Sequence, residues 1–455
     1  MGARLDFWLK FSALAACPIA CASAQGVAAP QYPAAQPPVQ PVPQPVTQPV
    51  TQPSTQPSTA QSAPQPAAPM AVAPLAEKVA PPPPVVLPPL IWHPGDVQQL
   101  LGFIQQIGSE GLDPVDYDPA GLIAAWRTNN PVLISQAATD RFNLVASDLA
   151  FGHVRGKDRE GWHIVDQDLD RERQYELMKT ALIQHRVPDM LRTLLPTHPQ
   201  YRDLRNALAG TAATDVAQAN RIRLNMDRWR WLPRDLGDKY IIVNVPAFYV
   251  ALVENGTTKW RQRAVAGAIK TPTPMLSVMA TGVSINPSWY VPKSIEPEVR
   301  GKRGYVPILK NGKVTGWRQP PGPANALGEL KFVMYNPHNI YLHDTNARSR
   351  FNSQIRSLSH GCIRTQNVVD LAKTIFTDEA NPTWTTEKID AVLASKKTVQ
   401  ANFATPIPVY IVYFSAAAST DGRIVNYGDV YKRDPKVLAA LLDKQAAGST
   451  AVATR

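Results

Sequence analysis

The chain is long and basic. It has 455 residues with 47 lysines and arginines against 36 aspartates and glutamates, which gives a formal net charge of +11 and a pI near 9.5. Three cysteines are too few for a disulfide-rich fold. No nucleic-acid-binding motif accompanies the basic charge, so a nucleic acid is not the expected partner. The charge is consistent either with attraction to acidic molecules or with solubility alone.

Residues 1–24 have the three parts of a secretory signal peptide. A charged start precedes a short apolar run over residues 11–20, and the small residues Ala22-Ser23-Ala24 form a cleavage site. The apolar run is too short to remain as a membrane span. We therefore expect export across the inner membrane and cleavage after Ala24. In the alternative interpretation, the segment ending at Cys17 is a lipoprotein box, and a lipidated Cys17 anchors the mature chain to a membrane.

Residues 25–91 are dominated by proline, glutamine, valine, threonine, serine and alanine, with a repeated Thr-Gln-Pro unit over residues 47–58. Such a composition cannot bury enough apolar surface to fold. The segment is expected to be a disordered, extended tether of polyproline type.

Residues 92–215 have the apolar spacing of helices. One helix is predicted over residues 92–107 and another over Asp140–Phe151, so we expect a helical domain, followed by a connecting segment over residues 216–238. The histidines in this region lack the spacing of metal ligands, and a structural role is expected for each of them: His153, His163, His185 and His198.

From Tyr240 onward the apolar period changes to two, which indicates β-strands. The predicted fold class is α+β, with a mainly antiparallel β domain over residues 239–414 that contains a few helices. Residues 293–330 interrupt this domain with an insert rich in glycine, proline, lysine and arginine. An insert of this length favours a mobile basic lid, although a packed surface excursion would fit the same residues. Residues 415–455 are expected to form a hairpin at Asp421-Gly422 and an unstructured tail.

The strongest functional signal is the segment Ser359-His360-Gly361-Cys362-Ile363-Arg364. A cysteine acts as a nucleophile in its thiolate form, so it needs a base, a cation or a helix N-terminus nearby. His343 and His360 are candidate bases, and Arg364 is a fixed cation. The apolar spacing after Asn367 predicts a helix directly behind Cys362. We expect a cysteine on an exposed turn whose backbone N–H groups face a substrate oxyanion.

This segment, with Tyr341-Leu342-His343-Asp344 ahead of it, resembles the signature of the L,D-transpeptidase family of cell-wall enzymes. The order of histidine before cysteine distinguishes it from papain-like proteases. Further segments resemble the large periplasmic members in the same order, and the resemblance covers roughly residues 92–435: Asn225–Pro233, Thr271–Pro274, Asn286–Pro292 and Pro321–Gly328. It implies a helical scaffold domain over residues 92–215, a catalytic domain over residues 239–414 and a capping subdomain over residues 293–330.

The resemblance also implies a reaction and a set of roles. The partners are peptidoglycan stem peptides in the periplasm, where Cys362 forms a thioester and D-alanine leaves before a 3-3 cross-link forms between diaminopimelate residues. His343 is the base, and the backbone carbonyl of Asp344 orients its ring. Other positions are expected to shape the oxyanion site or contact substrate: Ser359, His360 and Gly361 for the former, and Arg364, Tyr341 and Trp289 for the latter. Carbapenems are expected to acylate Cys362.

Alternatives remain within and outside this chemistry. Members with the same motif attach a protein to the wall or detach it, exchange D-amino acids, or hydrolyse the acyl-enzyme, and the sequence does not separate these acceptors. A metal hydrolase could use His338, His343, Asp344 and His360, yet no ligand pattern of that kind is present, so no metal or cofactor is expected. A non-catalytic wall-binding protein would not need Cys362 together with His343.

Overall fold

The structure is a computed structural model that describes residues 87–165, 169–379, 381–419 and 423–443. The predicted signal peptide, the alternative lipidation site at Cys17, almost all of the proline-rich tether, the turn at Asp421-Gly422 and the tail from residue 446 lie outside these residues. None of the helices in the described ranges combines the length and apolar character that a bilayer crossing requires.

The N-terminal part of the described chain is helical, as predicted. Its α-helices are Pro94–Gln106 (α1), Pro119–Arg127 (α2), Pro131–Phe151 (α3), Arg171–Ile183 (α4), Val187–Arg192 (α5), Pro199–Gly210 (α6) and Val216–Trp229 (α7). Helix α3 begins well before the predicted start at Asp140. The Asn130 side chain accepts hydrogen bonds from the N–H groups of Val132 and Leu133, and Pro131 occupies the first turn, where its missing N–H costs nothing.

The remaining elements belong mostly to β-sheets. The strands of the main sheet are Lys239–Asn244 (β1), Tyr249–Glu254 (β2), Thr257–Gly267 (β3), Leu276–Ile285 (β4), Leu330–Val333 (β8), Leu342–His343 (β9), Ser357–Ser359 (β10), Ile363–Thr365 (β11) and Val399–Val412 (β12). The small sheet of the insert begins at Trp289, ahead of the predicted start at residue 293, and consists of Trp289–Tyr290 (β5), Val306–Lys310 (β6) and Lys313–Gln319 (β7). The C-terminal segment supplies Ala416–Ala418 (β13) and Ile424–Asn426 (β14). The later helices are Glu296–Val299 (α8), Val368–Asp378 (α9), Thr386–Ser395 (α10) and Asp434–Leu442 (α11).

The main sheet has the strand order β10-β3-β11-β9-β8-β4-β12-β1-β2, and β2 also pairs with β3. This second pairing joins β2, at one end of the order, to β3, which is next to the other end, so the hydrogen bonding closes on itself from β3 to β2. Most pairs are antiparallel, as predicted, but β1–β12, β3–β10 and β9–β11 are parallel. The β9–β11 pair positions the site described below.

The insert forms its own small antiparallel sheet in the order β5-β7-β6. Val291, Ile295 and Val299 form a separate apolar cluster beneath it, so the insert is folded and has its own packing. In the C-terminal segment, β13 and β14 pair antiparallel on either side of the predicted hairpin turn. Helix α11 follows them and is not among the predicted elements.

Helix α7 occupies most of the predicted connecting segment and packs against the sheet. Its Trp229 ring is stacked between His198 and Phe414, with ring centroids 4.3 and 4.5 Å away. Arg228 and Arg230 are among the largest fully buried side chains. These contacts join the helical part and the sheet through a shared apolar core that also includes Tyr240.

His198 makes the stability of this core dependent on pH. Its Nε2 lies 3.0 Å from the Tyr240 hydroxyl, its Nδ1 accepts from the Gln200 N–H, and burial lowers its pKa to about 4. The unfolded chain therefore binds a proton below its ordinary pKa of about 6.5, while the folded chain stays neutral until about pH 4, so stability is lost as the pH falls through this window. In His198→Gln, the loss of unfolding free energy between pH 7 and pH 4.5 should be smaller by about 2 to 3 kcal/mol. Urea unfolding at several pH values tests this, and equal losses in both proteins would contradict it.

Candidate active site

Two neighbouring strands bring the predicted nucleophile and base together. In the parallel β9–β11 pair, Ile363 is opposite Leu342 and Arg364 is opposite His343. The Ile363 N–H donates to the Tyr341 carbonyl at 3.0 Å, which places Cys362 at the entrance of β11 beside the start of β9. Because strand side chains alternate between faces, Cys362 and Arg364 share one face of the sheet, while Ile363 points into the core.

The turn before Cys362 is held by side-chain hydrogen bonds. The Ser359 hydroxyl accepts from the Gly361 N–H at 3.1 Å and donates to the Cys362 carbonyl at 2.6 Å. The Thr273 hydroxyl donates to the Gly361 carbonyl at 2.6 Å. Gly361 has φ 116°, and a side chain there would press against Ile340 at 3.2 Å. No acceptor for the Cys362 N–H is found among the described residues, so this N–H is available to an oxyanion.

The Cys362 thiol is held close to the backbone. Its Sγ lies 3.5 Å from the Asn339 carbonyl oxygen, to which the thiol can donate. Burial raises the pKa of Cys362, and hydrogen bonding with Tyr341 and the charges of Lys331 and Arg364 act in the opposite direction. The predicted helix does exist as α9, but β11 lies between it and the cysteine. The prediction of a helix N-terminus directly behind Cys362 is therefore wrong, and the nearby positive charge comes from side chains.

His343 is buried, and its surroundings keep it neutral. Burial first, and then the charges of Arg364 and Lys331, lower its pKa to about 3, while a hydrogen bond with the backbone of Asp344 acts in the opposite direction. Nδ1 of His343 has no hydrogen bond of good geometry with any described residue. The Asp344 carboxylate is occupied elsewhere, since it accepts from the Glu329 N–H at 3.0 Å and from Arg348 at 2.8 Å. It therefore holds the loop after β9 and is not the group that orients the ring.

These pKa directions predict a neutral thiol beside a neutral imidazole in the resting site. We expect the rate of Cys362 alkylation by iodoacetamide to rise continuously from about pH 6 to 9, because the thiolate fraction grows throughout this range. Cys362→Ala protein provides the blank. A rate that is already constant at pH 6 to 7 would indicate a preformed thiolate–imidazolium pair and would contradict the prediction.

Positive side chains surround the cysteine without acidic partners. Arg364 is half-buried, and burial and the nearby Arg350 lower its pKa. Neither Arg364 nor Lys331 forms an ion pair with any described residue. The Lys331 ammonium lies 4.0 Å from the centre of the Tyr341 ring. This unpaired charge makes the face of the sheet beside Cys362 suitable for a carboxylate.

The insert contacts the same site. His360 Nε2 lies 3.2 Å from a carboxylate oxygen of Glu298 in α8, so this histidine faces the insert. Burial and the neighbouring Cys362 raise the pKa of the Tyr341 hydroxyl, and Trp289, on the first strand of the insert, lies close enough to act in the opposite direction. The structure thus brings together the residues that the sequence predicts for the site, and it places His360 on the side of the insert.

Several residues at this site cannot be recognised from any pattern in the sequence. Lys331 is one lysine in a short strand, Asn339 contributes only its carbonyl, and Glu298 becomes relevant only because α8 folds over His360. Thr273 lies in a segment that contributes to the resemblance, but its hydroxyl bond to Gly361 is evident only in the structure. No cluster of three or more histidine, cysteine or acidic side chains arranged to hold a metal ion occurs within the described ranges.

Comparison with known families agrees with this geometry. Residues 238–385 match the model of the L,D-transpeptidase catalytic domain, and residues 89–208 match that of the scaffold domain. The chain therefore contains an L,D-transpeptidase catalytic domain preceded by a scaffold domain, as the resemblance in its sequence predicts.

Individual relatives are more distant. The chain is 29% identical over 287 residues to a Haemophilus influenzae protein whose name places it provisionally among the L,D-transpeptidases, and the match covers 57% of each chain. Among solved structures, an Enterococcus faecium L,D-transpeptidase mutant matches 40% of this chain and 52% of its own, at 13% identity and a TM-score of 0.22. A Mycobacterium smegmatis L,D-transpeptidase matches 38% and 58%, at 12% identity and a TM-score of 0.21.

Proposed function

We propose that this protein is a peptidoglycan L,D-transpeptidase that forms 3-3 cross-links through a Cys362 thioester. The observation that supports this most directly is the parallel β9–β11 pair, in which the buried His343 is opposite Arg364, two residues after Cys362. A neutral imidazole can accept a proton, and the thiol next to it has one to give. The family assignment supplies the substrate class.

The first half-reaction acylates the enzyme. His343 takes the proton of the Cys362 thiol as the sulfur attacks the carbonyl carbon at the L-centre of diaminopimelate in a donor tetrapeptide. The Cys362 N–H donates to the oxyanion that forms. The bond from this carbon to the nitrogen of the terminal D-alanine then breaks, and His343 returns the proton to the departing amine. A thioester remains on Cys362, and D-alanine is free.

The second half-reaction transfers the acyl group. The side-chain amine of diaminopimelate on a neighbouring stem loses a proton to His343 and attacks the thioester carbon. The carbon–sulfur bond breaks, and the proton returns to the sulfur, which regenerates the thiol. The product is an amide between two diaminopimelate residues, the 3-3 cross-link. Arg364 and Arg350 are placed to attract stem carboxylates to the cleft.

The insert over residues 293–330 acts in this proposal as a lid over the cleft. Its α8 reaches the catalytic turn through the Glu298–His360 contact, and Trp289 at its first strand borders Tyr341. Closure would exclude water, which competes with the acceptor amine for the thioester. The predicted signal peptide places the reaction in the periplasm, where peptidoglycan is accessible.

Mass spectrometry of residues 25–455 incubated with disaccharide-tetrapeptides tests the proposal. The wild type should yield a dimer equal to two monomers minus one D-alanine, and Cys362→Ala should yield none. A carbapenem should add its mass to the wild type but not to Cys362→Ala. A tripeptide without dimer would show that water is the acceptor, and attachment of a protein amine or a D-amino acid would identify the other acceptors of this family. Hydrolysis without dimer, or transfer to one of these other acceptors without dimer, would contradict the cross-linking function.

A further inference from the structure

We propose that Lys331 is a specificity residue that, together with Arg364, holds a free carboxylate of the donor stem beside His343. This inference rests on the proposed function and names which chemical form of the stem the site accepts. A stem whose carboxylate is amidated would bind poorly. Nothing in the motif around Cys362 points to Lys331, because this lysine lies on a different strand.

The register of three strands carries the proposal. His343 on β9 is opposite Arg364 on β11 and opposite Lys331 on β8. Side chains at directly opposed positions project from the same face of a sheet. The three residues therefore form one row across the sheet, with a cation on each side of the histidine. Cys362 lies on the same face, two residues before Arg364.

The alternate residues of these strands point to the opposite face. Phe332, Leu342 and Ile363 are fully buried in the sheet core. The row of Lys331, His343 and Arg364 must therefore face the cleft, and its two cations are only partly exposed.

Among the described residues, no group balances the charge of Lys331. It makes no ion pair with any described residue, and its other sheet neighbour in β4 is the neutral Ser284. Its ammonium instead lies 4.0 Å from the Tyr341 ring centre, which orients the lysine toward the cleft. The carboxylates closest in sequence are engaged elsewhere, since Glu329 and Asp344 both pair with Arg348.

Two half-buried cations beside a base need an anion. A carboxylate between them would form charge-assisted hydrogen bonds and would relieve their repulsion of a proton on His343. It would thus make His343 a better base once the donor is bound. The D-centre of diaminopimelate carries an ammonium as well as a carboxylate, so its amidation leaves a net cation that Lys331 and Arg364 repel.

Of the three free carboxylates of a tetrapeptide stem, two belong to the residues on either side of the bond that breaks, one at the D-centre of diaminopimelate and one at the terminal D-alanine; the third, on D-glutamate, lies one residue further away. Three donor peptides separate the first two: the unmodified peptide, the D-centre carboxamide and the terminal carboxamide. Calorimetry with Cys362→Ala protein measures their binding without turnover. We expect one carboxamide to bind about 10- to 100-fold more weakly than the unmodified peptide, and its identity names the carboxylate that is held.

Adding Lys331→Gln to the Cys362→Ala protein should weaken binding of the unmodified peptide by a similar factor. The affinity for that carboxamide should change by no more than about twofold. Lys259→Gln is the matched control, because it removes an exposed lysine from the far end of β3 and should change neither affinity. Equal binding of all three peptides to the Cys362→Ala protein would overturn the inference. So would equal weakening of every peptide by Lys331→Gln, which would mark a merely structural lysine.

The outcome is separable from that of the proposed function. Carboxylate-selective binding in the absence of a cross-linked product with active enzyme would keep the specificity role of Lys331 and refute cross-linking. Cross-linking at equal rates with the unmodified and both amidated donors would keep the function and refute the role of Lys331.

Discussion

His343→Gln should lower kcat/KM for cross-linking by about 10²- to 10⁴-fold, which is the usual contribution of a positioned general base. Glutamine retains a polar side chain of similar size but cannot carry the proton between the thiol, the leaving amine and the acceptor. The parallel β9–β11 pair leaves no other described histidine in register with the strand that follows Cys362. Steady-state assay of dimer formation measures the effect.

Two comparisons make this result specific. Alkylation of Cys362 at about pH 9 should remain close to the wild-type rate, because solvent hydroxide then generates the thiolate without His343. His93→Gln changes an exposed histidine of the helical part, far from His343 in the sequence, and should retain activity. A loss of less than tenfold in His343→Gln would show that another group, such as His360, supplies the base.

Arg230→Ala should destabilise the protein by about 3 to 5 kcal/mol, because it leaves buried charge without its partner. The Arg230 side chain is 1% exposed and donates to the Tyr201 hydroxyl at 2.6 Å and to the Glu110 carbonyl oxygen. It also lies 3.5 Å from Asp227, whose carboxylate accepts from the His153 N–H and the Trp231 indole. Removing Arg230 thus leaves the buried carboxylate of Asp227 without its cation.

Denaturant unfolding of Arg230→Ala beside Arg202→Ala measures the effect. Arg202 forms a longer contact with Asp203 at the surface, at 3.7 Å, and its loss should cost less than about 1 kcal/mol. Arg230→Lys should recover only part of the stability, because a lysine cannot reproduce the planar fork that reaches Tyr201 and the Glu110 carbonyl together. Equal stability of Arg230→Ala and Arg202→Ala would contradict the proposed importance of the buried network.

The fold class follows from local patterns, and the errors have local causes. The change of apolar period near Tyr240 separates the helical part from the sheet because a helix and a strand require different spacings to bury one face. The early start of α3 at Pro131 depends on the cap formed by Asn130. The apolar spacing after Asn367 does give a helix, but spacing carries no information about the short strand β11 that separates this helix from Cys362.

The sequence by itself determines the α+β class, the resemblance to the L,D-transpeptidase family and the candidate pair of Cys362 and His343, because these depend on residue types at fixed spacings along the chain. Only the tertiary structure shows that Lys331 lies in one row with His343 and Arg364, that Glu298 meets His360, and that Asp344 pairs with Arg348. The physical reason is that strand pairing between distant segments sets these contacts. The pairing depends on the closure of the whole sheet and leaves no mark in the spacing of any one segment.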